Sequence, residues 1–350
     1  MTRVPTQTAQ EQMLYVPKWS IKNPTWLKWP ANTVPRVRLI IDNDFEGDPD
    51  DLFQLVHHLL SPSVDIRAIV CSHGQIDKPK NAGTSAANAV LVAEHVMDLM
   101  GVTDTALLHR GSEKALADNQ TPQMSNGVKA ILDEASRHEP DRPLFFAAGA
   151  GFTDLASAYL IDPTIVDRMT VVWIGGIQHD DIVGTKGRFT AEYNRDVDLI
   201  ATQIVFSAGF QIWQVPRDVY RRCILSEAEL RERVWKQGGA IGKYMYEEIR
   251  HILAELSDRI GRAEMYPMGD QPLVLLTVLE GVVEEDDDFT SSKYVLKPTP
   301  QIADDGSYIE RTDAKLMRVY TDLDFRLMFE DMFIKLREFT AWQDKEMESA

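Results

Sequence analysis

Cysteine is scarce in this 350-residue chain: there are two, Cys71 and Cys223. That is too few for a disulfide framework, and their separation offers no paired spacing for a zinc site. Basic residues are also short, 37 Lys and Arg against 54 Asp and Glu, for a net charge of −17. Such a chain repels phosphate backbones and gains little at anionic membranes, so neither nucleic acid nor a membrane is expected as a partner. No apolar run is long enough for a signal peptide or a membrane span. A cytoplasmic protein is the expectation.

What is present is the balance of an ordinary globular protein, 44% hydrophobic and 26% charged. Residues 1–35 place Pro5, Pro17, Pro24, Pro30 and Pro35 among Trp19, Trp26 and Trp29. This reads as a non-helical arm whose tryptophans dock on the body or on a neighbouring subunit, since exposed aromatics in a tail are a solubility liability. Residues 36–350 are expected to form a single domain, and the protein to assemble as a homo-oligomer. Short β-branched runs (37–41, 66–71, 106–109, 144–148, 169–174, 211–215) alternate with segments of helical period, which implies an open α/β fold around a mostly parallel sheet. Helices are predicted over 80–99, around 128–136, over 153–160, over 226–258 in two pieces split at Gly238 and Gly239, and from Phe325 to about Trp342. Residues 284–312 are acidic, polar and turn-rich, with 284–288 read as a solvated loop.

Chemistry concentrates in residues 39–51, LIIDNDFEGDPDD, where five aspartates and one glutamate fall within ten residues as a strand runs into a loop and a helix. Carboxyl ends of strands face the ligand crevice in open α/β sheets, so Asp42, Asp44, Asp48, Asp50 and Asp51 stand where sites form. Crowded carboxylates repel unless a cation joins them, and an all-oxygen set selects calcium or magnesium over zinc or copper. Asp50 alone could simply cap the following helix, but capping does not require five carboxylates.

The segment resembles the inosine-uridine nucleoside hydrolase family, whose first strand ends in Asp-x-Asp-Pro-Gly-x-Asp-Asp; here it reads Asp42-Asn43-Asp44 with Asp50-Asp51 closing a loop two residues longer. Residues 149–163, GAGFTDLASAYLIDP, are similar to the family's Gly-Pro-Leu-Thr-Asn segment. WIGG at 173–176 corresponds to its strand ending in two glycines, AEYNRDVD at 191–198 to its Ala-Glu-Phe-Asn, and MGDQPLVLL at 268–276 to its His-Asp-Pro-Leu. The resemblance implies a nucleoside hydrolase-like, Rossmann-like core, bound Ca2+ and a small nucleoside or N-riboside substrate for base salvage. Its metal ligands would be Asp44, Asp51, Asp270 and the Thr153 carbonyl. Thr153 is also a plausible N-cap for its helix. Glu192 and Asn194 would bind ribose hydroxyls together with Asp50 and Asp270, and Asp198 reads as a helix cap.

Asp50 is then the general base for a water placed by the metal. The histidine that precedes the distant aspartate in many family members, where it is the acid for the departing base, is Gly269 here. His73, directly after the second strand, is the nearest alternative acid; His109 and His179 also lie near strand ends, and His57 and His58 are expected to have no role. LIIDND also resembles the opening of haloacid dehalogenase-type phosphatases, but Phe45-Glu46-Gly47 and the following GDPDD have no place in that scheme. A metal- and sugar-binding relative with altered specificity or no nucleoside turnover is the stronger rival, and free-base release separates it from a hydrolase.

Overall fold

The computed structural model describes residues 15–27, 34–75, 85–137, 142–182, 191–261, 263–280 and 291–350. Strands β1 (Val37–Asn43), β2 (Val64–Cys71), β3 (Leu108–Arg110), β4 (Leu144–Ala148), β5 (Met169–Ile174) and β6 (Gln211–Val215) all run parallel. Two small antiparallel pairs lie outside the main sheet: β7 (Ile224–Ser226) with β8 (Met265–Pro267), and β10 (Gln301–Ile302) with β11 (Tyr308–Ile309). β9 (Lys293–Pro298) and β12 (Leu316–Asp322) complete the main sheet, whose order is β3-β2-β1-β4-β5-β6-β12-β9. β12 is parallel to β6, and only the edge strand β9 is antiparallel, against β12. The expected open, mostly parallel sheet is present.

β1 is buried along its whole length, as a central strand with parallel neighbours on both sides must be. Its side chains alternate between two cores, Leu39 and Ile41 in one and Ile40 in the other, following the two-residue period of a strand. α1 (Asp50–Leu59) and α2 (Ala86–Met100) cover the first face; α3 (Asn126–Ala135), α4 (Thr153–Ile161), α5 (Tyr193–Val197) and α6 (Leu199–Ala208) follow in the chain, with α3, α4 and α6 packing on the second. Two short helices, α7 (Arg217–Tyr220) and α8 (Glu227–Glu229), lead to α9 (Gly239–Ile260), α10 (Gln271–Val274) and the closing α11 (Phe325–Ser349). The break expected at Gly238 and Gly239 falls between a π-helical turn, Leu230–Trp235, and α9.

Several boundaries differ from the expectation. α2 begins at Ala86, capped by Ser85, whose side chain accepts from the Asn88 amide at 3.1 Å; residues 80–84 lie outside the described residues, as do 284–288. The part of 284–312 that is described is not all loop, since β9 and the β10–β11 pair lie within it. Thr153 does not cap α4: the N-cap is Phe152, with no side-chain bond, and Thr153 is the first helical residue. Asp198 does cap α6, accepting from the Ala201 amide at 2.9 Å. The described part of the arm docks on the body. Trp19 donates its indole N–H to the Met100 carbonyl at 2.7 Å, and Trp19 and Trp26 both pack against Phe339 of α11. Pro5, Pro30 and Trp29 lie outside the described residues.

Candidate active site

β1 delivers Asp42 and Asn43 to the carboxyl edge of the sheet, and the chain turns at once. The Gly47 amide closes that turn onto the Asp44 carbonyl; a Cβ at Gly47 would meet Asp44 Oδ2 at 2.8 Å, so a side chain here would push the carboxylate aside. α1 then starts with Asp50 and Asp51 in its first turn, where the positive end of the helix dipole favours carboxylates. From the far end of the chain, Asp270 arrives just before α10. A cleft of about 80 Å³ is lined by Asp44, Asp48, Asp50, Asp51, Asp270, Glu192, Asn194, Tyr193, Tyr220, Ile174, Gly149 and Gly269. Two larger hollows lie elsewhere, one beside the arm and one at the opposite end of the strands. The carboxylates gather at the small cleft.

Five of its carboxylates are buried: Asp44, Asp50, Asp51, Asp270 and Glu192. The Asn43 amide donates to Asp270 Oδ2 at 2.7 Å, the Asp270 backbone N–H donates to Asp50 Oδ2 at 3.1 Å, and the Tyr193 hydroxyl donates to Asp44 Oδ2 at 3.0 Å. Burial first, and then the negative charges of Asp50, Asp44 and Asp48, push the Asp270 carboxyl well above the usual range, against the pull of the Asn43 bond. Asp42 lies deeper and is not among the lining residues. Its carboxyl is raised chiefly by burial; one oxygen accepts from the Ser72 hydroxyl, and the other has no hydrogen-bond partner.

Behind Asn43 runs a chain of buried amides and imidazole. Asn43 also donates to Gln54 Oε1 at 3.3 Å, Gln54 Nε2 donates to His58 Nδ1, His58 Nε2 lies 3.0 Å from Thr277 Oγ1, and Thr277 donates to the Leu273 carbonyl at 2.6 Å. Because the last acceptor is a carbonyl, every donor points one way, and the Asn43 amide is held with its N–H groups toward Asp270. His57 alongside bridges Gln271 Oε1 at 3.0 Å and Asp331 Oδ2 at 2.8 Å. The two histidines expected to be idle are therefore the wall that orients the site. Burial lowers both of their pKa values, with Lys335 and, for His58, His57 adding to the effect. Below the ordinary value of 6.5 the unfolded chain takes up protons that these rings refuse in the fold, so stability falls as pH drops through 6.5 toward the depressed folded values. Melting temperatures recorded from pH 7.5 to 5 should show this slope, and His58→Gln should flatten it.

Both expected sugar residues line the cleft, and both have internal partners. Glu192 caps α5 through the Asn194 and Arg195 amides, and also accepts from the Gly176 amide at 2.7 Å and the Tyr220 hydroxyl at 2.8 Å. Asn194 donates its amide to the Ile174 carbonyl at 2.7 Å. His73 and Thr153 are not among the lining residues. Thr153 donates its hydroxyl to Asp198 Oδ2 at 2.7 Å, His73 Nε2 lies 3.1 Å from that hydroxyl, and His73 Nδ1 lies 2.9 Å from the Gly74 carbonyl. As the first residue of α4, Thr153 has a carbonyl that a regular helix commits to the N–H four residues on. Tyr193 and Tyr220 are lining residues without an assigned part in the sequence pattern; Tyr193 was reachable through its place inside AEYN, while nothing local marks Tyr220.

The donor set of the cleft fits a hard divalent cation, being all oxygen, buried and crowded enough to raise the Asp270 pKa. No three of the cleft aspartates bring their donor atoms within 4.8 Å of one another, and Asp44, Asp50 and Asp270 are each held by a different donor. Among the described residues, the group of three ligating side chains whose donor atoms all lie within 4.8 Å of one another is His179, Asp181 and Glu310, outside the cleft lining.

The profile of the inosine-uridine preferring nucleoside hydrolases matches residues 39–329, spanning every element that lines the cleft. The chain belongs to that family. It is accordingly an N-glycoside hydrolase. No curated protein matches the chain. Among solved structures it is similar to a plant nucleoside hydrolase, with a TM-score of 0.65 and 16% identity over 87% of this chain and 99% of that one. It is also similar to the purine-preferring ribonucleoside hydrolase of Gardnerella vaginalis, with a TM-score of 0.61 and 16% identity over 87% and 99%. For the inosine-uridine preferring nucleoside hydrolase of Bacillus anthracis the TM-score is 0.57, with 14% identity over 86% and 99%. At these identities the structural likeness establishes the shared fold of the hydrolase. No helix among its described residues is long and apolar enough to cross a membrane.

Proposed function

We propose that the hydrolase cleaves the N-glycosidic bond of a ribonucleoside or related N-riboside with the help of a calcium ion held by Asp44, Asp51 and Asp270. The observation that carries this reading is the convergence of four buried aspartates, from the turn after β1, from α1 and from the segment before α10, on one cleft. A bound calcium supplies positive charge that anchors vicinal sugar hydroxyls and acidifies nearby water. Asp50, fixed by the Asp270 amide, takes the proton as water adds to the anomeric carbon and the carbon–nitrogen bond breaks. The carboxylates around the cleft stabilise the positive charge that builds on the ring. Glu192 and Asn194 shape the sugar end of the cleft, with Tyr193 between them in sequence. His73 and Thr153 belong to the wall behind it rather than to proton transfer or ligation.

The bare Gly269 favours a substrate whose leaving group needs little protonation, and so an altered glycoside specificity within the family. Free-base release from a panel of nucleosides and N-ribosides, with calcium and with chelator, tests the reading: activity should vanish with chelator and return with calcium. Asp51→Asn should remove calcium binding, read by calorimetry, while the circular dichroism spectrum stays native. Turnover that survives chelation would overturn the role given to the ion.

A further inference from the structure

His179 follows β5 by five positions and is buried, with 4% of its surface exposed. Its Nε2 lies 2.9 Å from Gln214 Oε1. The orientation of that glutamine is fixed, because its Nε2 donates to the Gly175 carbonyl and the Tyr308 hydroxyl, both at 2.8 Å. Gln214 Oε1 can only accept, so His179 Nε2 carries the proton and Nδ1 keeps a lone pair. That lone pair is buried and has no hydrogen-bond partner. The ring is locked further by Tyr308, whose centroid lies 4.6 Å away. A neutral imidazole with one nitrogen donating to an orienting oxygen and the other left bare is the arrangement of a metal-ligating histidine.

Two carboxylates stand beside it. Asp181 is two positions on, and Glu310 directly follows β11; one donor atom from each of the three residues lies within 4.8 Å of the others. The spot already attracts positive charge, since Lys297 reaches it from β9 and pairs with Asp181, and with Glu310 at 3.6 Å. We propose that His179, Asp181 and Glu310 form a second metal site, separate from the aspartate cleft, for a first-row divalent ion of which zinc is the representative. One imidazole and two carboxylates select such an ion over calcium, and three protein donors leave a position for water. The ammonium of Lys297 gives way as the ion enters. Bound there, the ion ties the segment after β5 to the β10–β11 pair, next to the Gly176 amide that holds Glu192.

Calorimetric titration of the full-length protein with zinc, in excess calcium so that the aspartate cleft is occupied, tests the site. Wild type should take up one zinc equivalent. The exposed double variant Asp181→Asn/Glu310→Gln, which leaves the buried core untouched, should bind it at least tenfold more weakly, as should His179→Ala. Lys297→Met removes the competing cation and should bind it more tightly. Cobalt in place of zinc should give visible absorption that is lost in the same variants. No zinc uptake by calcium-saturated wild type, or undiminished uptake in either ligand variant, would overturn the assignment.

Discussion

Asp50→Asn should abolish hydrolysis, with free-base release falling by about a hundred to ten thousandfold, the usual contribution of a positioned base. The substitution is nearly isosteric, and an amide oxygen can still accept the Asp270 backbone N–H that now reaches Asp50 Oδ2 at 3.1 Å. What it loses is the capacity to take a proton. Calcium binding and the melting temperature should therefore stay close to wild type while turnover collapses. That split separates a base from a ligand, because the neighbouring Asp51→Asn should lose the ion as well. Retained turnover in Asp50→Asn would move the base to another carboxylate of the cleft.

The second large effect concerns the leaving group. A p-nitrophenyl riboside, which departs without a proton, should outrun inosine by about the hundred to ten thousandfold that a general acid ordinarily contributes. Neither tyrosine in the cleft is a ready proton donor. Burial and the charge of Asp44 push the Tyr193 hydroxyl far above its normal range, and burial with Glu192 does the same to Tyr220. Nor is the missing histidine easily restored. A Cβ at Gly269 would sit 3.2 Å from Asp50 Oδ2 and 3.2 Å from the Tyr220 ring, so Gly269→His needs both to give slightly, with Asp50 already held by the Asp270 amide, and should not raise inosine turnover. Equal, high rates on inosine and on the activated riboside would show that another group supplies the proton.

The parallel part of the sheet and the aspartate cluster were legible in the sequence for the same reason. A central strand with neighbours on both sides is mostly apolar, and Val37 to Ile41 is so apart from Arg38, so the sudden density of carboxylates after it marks a strand end facing a crevice. β9 was not legible because its apolar run, Tyr294 to Leu296, is only three residues long between Lys293 and Lys297 in an acidic, turn-rich stretch, and as an edge strand it leaves Val295 and Leu296 exposed. β12 carries Arg318, which packs over Trp213 at 4.3 Å and Tyr294 at 4.4 Å, a use of charge that hydropathy scores as surface. In the cleft, aspartates from distant segments were found by motif. The Gln54–His58–Thr277 chain was not, since adjacent histidines on a helix give no sign of whether they face water or a buried amide. Thr153 was placed by its type as a cap, whereas the fold gives its hydroxyl to Asp198, a partner fixed only by tertiary packing.

The arm bears on the order in which the chain can fold. Trp19 and Trp26 both pack against Phe339, so indoles early in the chain find part of their cover in α11. During synthesis the faces that meet Phe339 must stay uncovered until α11 has left the ribosome, and closing so long a loop comes late and slowly. A growing chain thus carries an apolar patch that is fully covered only when α11 docks, and a polypeptide cut short before α11 would keep it on display to chaperones and proteases.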